Sequence, residues 1–84
     1  SRYVIPRCMV RAFVMVQTDS GEADRVVEAV RDLAAVREAH VVAGGYDAIV
    51  ETDADAVYDL LDVSSTQIQA LGGVTDTTTY IAMD

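Results

Sequence analysis

Lysine is absent from the 84 residues, and cysteine, proline and histidine occur once each, as Cys8, Pro6 and His40. A lone cysteine cannot close an internal disulfide, so no covalent staple is available to the chain. One histidine, with no Cys-x-x-Cys and no His/carboxylate cluster at ligand spacing, argues against a metal site, and no cofactor motif is present. A domain this short buries only ~60% of the surface that its unfolded chain exposes. With neither metal nor disulfide to add stability, association with further copies is the expected remedy. No apolar run approaches the ~18–20 residues of a membrane span and no signal-peptide pattern opens the chain, which points to a cytoplasmic protein without membrane contact. Six arginines against 14 acidic residues leave a net charge of −8 and a pI near 4.2. That field repels phosphate backbones, and direct nucleic-acid binding is not expected. Asp outnumbers Glu by 10 to 4 in an Ala/Val-rich background, a bias that a GC-rich genome and a high-salt cytoplasm both produce.

What the chain does contain is a doubled pattern. Residues 1–8 have no periodicity and no initiator Met, and read as a vector residue, a linker or the tail of another domain, with Met9 as a candidate start. The domain is expected over residues 9–84. Met9 to Thr18 is an apolar, β-branched run closed by the turn chemistry of Asp19-Ser20-Gly21, hence a strand. Its two alternating sets, Val10/Ala12/Val14/Val16 and Arg11/Phe13/Met15/Gln17, are both apolar in the middle. Ala23, Val26, Val27, Val30 and Leu33 then recur at helical spacing, with Glu22 and Asp24 near the positive end of the helix dipole and Asp19 or Ser20 as cap. Val36 to Ala43 and Ala48 to Thr52 read as a pair of antiparallel strands around Gly44-Gly45-Tyr46-Asp47. Asp53 is the expected cap of a second helix, whose stripe of Val57, Leu60, Leu61, Ser64, Ile68 and Leu71 reaches about Ala70. Gly72-Gly73 ends it before a Thr-rich strand from Val74 to Met83.

This βαββαβ order predicts an α+β, ferredoxin-like fold: a four-stranded antiparallel sheet with both helices on one face. If the Val14 set lies under the helices, the open face carries Phe13 and Met15, with Val42 and Ile81 nearby. An apolar sheet face of this kind predicts a dimer through the sheets.

The Gly44-Gly45-Tyr46-Asp47 turn admits two readings. Glycines permit close backbone approach and leave amide N–H groups for a carboxylate, while Asp47 can take an ammonium, a combination suited to a zwitterionic amino acid. Equally, Gly-Gly-Tyr-Asp is ordinary hairpin chemistry, with Asp bonding its own backbone. His40 lacks a visible nucleophile or orienting group and reads as a strand residue at an interface edge. No triad, oxyanion motif or phosphate loop is present, so no catalytic residue is assigned. Cys8 has no neighbour to activate it.

Val10-Arg-Ala-Phe-Val-Met-Val, Val36-Arg-Glu-Ala-His-Val-Val, the Gly44 to Asp47 turn and Leu71-Gly-Gly-Val-Thr-Asp-Thr-Thr-Thr-Tyr80 together resemble the effector-binding domain of the leucine-responsive regulatory protein/AsnC family of feast/famine regulators. The resemblance runs from Met9 to Asp84. It implies a non-enzymatic module that forms sheet-to-sheet dimers and larger rings, commonly octamers, and binds amino acids between dimers near the turn. By position, Gly44, Gly45, Tyr46 and Asp47 match the motif, and His40, Gln67, Gln69 and Tyr80 lie where effector contacts are expected. The chain is similar to the stand-alone form, without its own helix-turn-helix domain, for which full-length regulators of the family are expected partners. It departs from the family's Leu-Pro-Gly-Val turns in having Ala34-Ala35 in the first half and Gly72 in the second. Two other classes share the strand order: cofactor-independent monooxygenases or isomerases of the dimeric barrel type, using His40 or a Tyr in a buried pocket, and ACT-type regulatory domains fused to an enzyme.

Overall fold

The computed structural model describes residues 9–84, so Cys8 and the expectations for residues 1–8 lie outside it. Four strands, β1 (Val10–Thr18), β2 (Val36–Val41), β3 (Ala48–Ala54) and β4 (Val74–Ile81), form one sheet in the order β2-β3-β1-β4 with every neighbour antiparallel. Helix α1 (Ala23–Arg31) connects β1 to β2, and α2 (Val57–Asp62) continues into a π-helical segment, Val63–Ile68, before β4. The fold is the ferredoxin-like βαββαβ plan expected from the repeat.

Burial follows the strand period. Ala12, Val14 and Val16 are fully buried, as are Ala48, Val50 and Thr52 beside them on β3. Val14, Val16, Ala48 and Val50 pack in one cluster with Val26, Val27 and Val30 of α1 and with Val63 and Ile68 of the π-helical segment. Because opposed residues in an antiparallel pair point to one face, the register also defines the uncovered side. There, Tyr80, Phe13, Glu51 and Glu38 make one row across the sheet, and Thr78, Met15, Ile49 and His40 make the next. Phe13 and Met15 thus stand on the open face as expected, but the register corrects their company. Ile81 lies opposite Ala12 and belongs to the helix side, Val42 lies beyond the end of β2, and Ile49 and Tyr80 take their places.

The element ends differ from the expectation for physical reasons. At the start of α1 the N-cap is Glu22, with no side-chain cap, and Asp19 is tied in through its backbone instead: its carbonyl accepts the Glu22 N–H at 3.0 Å and its N–H donates to the Gly73 carbonyl at 2.8 Å. Asp53 does not cap α2. It pairs with Arg11 across the β1–β3 ladder and accepts from Arg37 Nη1 at 2.9 Å, so cross-strand pairing draws it into β3 and α2 begins only at Val57, after Ala56. The helical stripe also loosens: Leu60, Val63, Ser64 and Ile68 are buried, whereas Val57 and Leu61 remain exposed. Val63 and Ile68, five apart, both face inward because the π-helical turn, closed by the Gln69 N–H to the Ser64 carbonyl at 3.2 Å, has a wider period than an α-turn. Strand β4 stops at Ile81, since the last ladder contact is the Ala82 N–H to the Arg11 carbonyl at 2.8 Å, and Met83 is exposed. Gly73 occupies φ +96° in the turn before β4, where a Cβ would come within 3.0–3.3 Å of Arg25, Glu22 and Val26. No helix among the described residues is long and apolar enough to cross a membrane.

Candidate functional site

The loop between β2 and β3 is closed at its base by the Val42 N–H, which donates to the Asp47 carbonyl at 2.9 Å, and docked on β1 by the Asp47 N–H to the Val16 carbonyl, also at 2.9 Å. Four side-chain bonds then fix its tip. Asp47 Oδ2 accepts the Thr18 N–H at 2.8 Å and the Thr18 hydroxyl at 3.3 Å. Gln17 Nε2 donates to the Gly45 carbonyl at 3.1 Å, and the Tyr46 hydroxyl meets that of Thr78 at 2.9 Å. The turn is therefore lashed over the end of β1 and reaches β4, which two strands separate from β2.

What the turn leaves open follows from these bonds. The backbone N–H groups of Gly44, Gly45 and Tyr46 donate to nothing among the described residues. A Cβ built on Gly44 or Gly45 would meet nothing within 4 Å, and Gly44 holds a φ of +156°. Three backbone donors of the turn are thus without a partner among the described residues. Asp47 differs from the hairpin reading: its carboxylate holds the end of β1 instead of its own backbone, and only Oδ1 is left to meet solvent or a ligand.

The remaining candidates are spread over the sheet. Gln69 Nε2 donates to the Thr77 hydroxyl at 2.6 Å, so it borders the stretch of β4 that Tyr46 reaches, but from the helix side. Gln67 turns to Asp62 Oδ2 at 3.5 Å. His40 stands on β2, the opposite edge strand, exposed and 3.0 Å from Glu38 Oε1. Tyr80, on β4 opposite Phe13, is exposed on the open face. One subunit brings Gly44 to Asp47 together near Thr77 and Thr78, with Gln69 across the strand; it does not bring His40, Gln67 and Tyr80 to them. Sequence reading missed Thr18, Gln17 and Thr78, the partners that hold the turn, because only the strand register places them beside it.

The cavities lie elsewhere. One of 380 Å³ sits at the other end of the sheet, between Val10, Val57, Ile81 and Met83, with Arg11, Arg37 and Asp53 in its wall. Another of 270 Å³ is a recess along the β2 edge from Arg31 to His40, and a third of 70 Å³ lies among Phe13, Glu38, His40, Ile49 and Glu51 on the open face. The last is far below the ~300–1,000 Å³ of small-molecule pockets. His40 borders the second and the third of these.

A four-stranded sheet backed by helices, with an exposed glycine turn offering unpaired amides beside a carboxylate, defines a small ligand-binding module. The chain belongs to the Lrp/AsnC family: the family's ligand binding domain matches residues 11–84. It is 34% identical to FFRP-DM1, covering 88% of this chain and 99% of that one with a TM-score of 0.82. Identity is also 34% with protein PHS023 of Pyrococcus horikoshii, over 88% of this chain and 89% of that one, at a TM-score of 0.81. The transcriptional regulator NMB0573 of Neisseria meningitidis, solved as its L-Met complex, shares the fold at a TM-score of 0.79 and 16% identity, over 89% of this chain and 50% of that one. No curated protein matches the chain's sequence.

Proposed function

We propose that the chain senses a free amino acid, held by its carboxylate on the N–H groups of Gly44, Gly45 and Tyr46, with Asp47 Oδ1 facing the ammonium. The unpaired amides of this turn, with open space beside Gly44 and Gly45, carry this reading. An amino-acid ligand on a relative of the same fold, the L-Met bound to the Neisseria regulator, supports the ligand class. Gln69 borders the stretch of β4 that the turn reaches, whereas His40, Gln67 and Tyr80 do not converge on the turn within one subunit, so any of these three that touches effector does so from a neighbouring copy. The proposed assembly is a dimer through the open sheet faces, with dimers joined into a ring of the octameric kind, formed by residues 9–84 with residues 1–8 as an extension. Such a module is non-enzymatic, acts in the cytoplasm and influences transcription or metabolism through partners, among them full-length regulators of its family.

Thermal unfolding with each proteinogenic amino acid tests the reading. A ligand at a hundred times its Kd adds about 2.7 kcal/mol of stability, visible as a Tm rise confined to one amino acid or one side-chain class. No rise with any of them refutes amino-acid sensing.

A further inference from the structure

The strand register sets the one histidine of the chain on the uncovered sheet face. His40 lies opposite Ile49, in the row that holds Met15, and its Nε2 is 3.0 Å from Glu38 Oε1, in the row of Phe13 and Glu51. The 70 Å³ recess on this face is enclosed by Phe13, Glu38, His40, Ile49 and Glu51. An imidazole and two carboxylates thus border the apolar surface that the proposed dimer buries.

The charges around His40 are matched within the subunit, with one exception. Glu51, from β3, has Arg11 of β1 at 3.3 Å. Arg37 and Arg31 share the recess along the β2 edge with His40, and Asp53 engages the first at 2.9 Å and Glu28 the second at 3.1 Å. Arg31 also donates twice to the Ala39 carbonyl. The Glu38 carboxylate has no side-chain partner among the described residues besides His40. In one subunit both groups are exposed, and water solvates the carboxylate well enough that such a pair is worth little. Against a second sheet the balance changes. A carboxylate taken out of water without a counter-charge is costly, and His40, of the residue type whose charge ordinarily changes between about pH 5 and 8, is the group beside it able to supply one.

We propose that sheet-to-sheet assembly takes up a proton at each His40, so that acid tightens the oligomer and alkali loosens it. This rests on the dimer through the open faces proposed above and adds its regulation. A base held protonated more firmly in the assembled state adds stability that is fully present below its pKa in the free subunit. That stability is lost as pH rises through its pKa in the assembly. An imidazole ordinarily titrates at about pH 6.5, so the loss falls above that value. Each unit of added proton affinity is about tenfold in equilibrium constant, and a two-fold dimer carries two such rings.

The test measures dimerisation of the full chain, without amino acids, by sedimentation velocity over a dilution series between about pH 5.5 and pH 8. The Kd is expected to be at least about tenfold lower at the acid end. His40→Gln holds it within about twofold across the range. Glu38→Gln, which removes the carboxylate that needs the charge, assembles at the alkaline end as tightly as the wild type does at the acid end. In the unaltered chain, the midpoint of the His40 imidazole titration, read by NMR, rises with protein concentration. Where dilution does not split the dimer, the pH dependence of its urea midpoint reports the proton uptake, and His40→Gln flattens it. The proposal is overturned by a dimer whose Kd and urea midpoint ignore pH over this range, by tighter assembly at the alkaline end, or by a pH dependence that survives in His40→Gln. A chain that is monomeric at every pH overturns the sheet-to-sheet dimer itself, a result distinct from a dimer indifferent to pH.

Discussion

Asp47 shows how a single side chain serves two ends. Its Oδ2 holds the end of β1 through the Thr18 N–H and hydroxyl, and its Oδ1 accepts no hydrogen bond from the described residues. Truncation therefore acts on both. Asp47→Ala is expected to cost about 1–2 kcal/mol, the penalty of leaving the Thr18 N–H without its acceptor, and to abolish the effector-induced Tm rise. Asp47→Asn keeps a carbonyl oxygen for Thr18 and so retains most of the stability, yet it removes the negative charge that faces an ammonium. Unfolding curves of the two variants with and without effector separate the roles; an unaltered effector response in Asp47→Asn would take Asp47 out of the site. The anchoring role was not legible from Gly44-Gly45-Tyr46-Asp47 itself, since an Asp after two glycines is equally suited to bonding its own backbone.

At the scale of elements, the informative departure is the connection from β3 to β4. Helical spacing located the segment, but Asp53 was claimed by Arg11 and Arg37 across the sheet, and the helix widened into a π-turn that turns both Val63 and Ile68 inward. The seam between this segment and β4 is polar: the buried Ser64 hydroxyl bonds that of Thr79 at 2.7 Å. Ser64→Ala leaves the Thr79 hydroxyl without that partner and is expected to destabilise the domain by about 1–2 kcal/mol. Thr79→Val placed on top of it removes the orphaned group, so the double variant should lose less than the two single losses combined. Urea unfolding midpoints with a common m-value measure the coupling, and strict additivity would show that the two hydroxyls do not act as a pair.

At the scale of the molecule, the sheet has one face under helices and one that no element among the described residues covers. Phe13, Met15 and Ile49 are half-buried there, and Tyr80 is exposed beside Phe13. The flanking charges are largely neutralised within the subunit: Arg11 lies 3.3 Å from Glu51, and Arg37 lies 2.9 Å from Asp53. An apolar centre with internally paired charges suits burial against a second sheet. Met15→Glu places an unpaired carboxylate in the middle of that face, pointing away from the helices, so the fold should survive while the assembly does not. Light scattering is expected to report a monomer for this variant with an unchanged circular dichroism spectrum; an unchanged assembly would move the interface elsewhere.

Sequence alone determined the order of elements and the βαββαβ plan, because two-residue and 3.6-residue periodicities are local and survive without knowledge of neighbours. The repeat of strand, helix and glycine or alanine turn then left few topologies to consider. Tertiary structure alone decided which groups stand across from one another. Ile81 moved to the helix side, Asp53 left its expected cap for the sheet, and Asp47 found Thr18, each because antiparallel register brings together residues far apart in the chain. A sequence specifies a strand's two faces, but only pairing determines which strand end lies beneath a turn, and that placement gives the Gly44 to Asp47 loop its fixed shape.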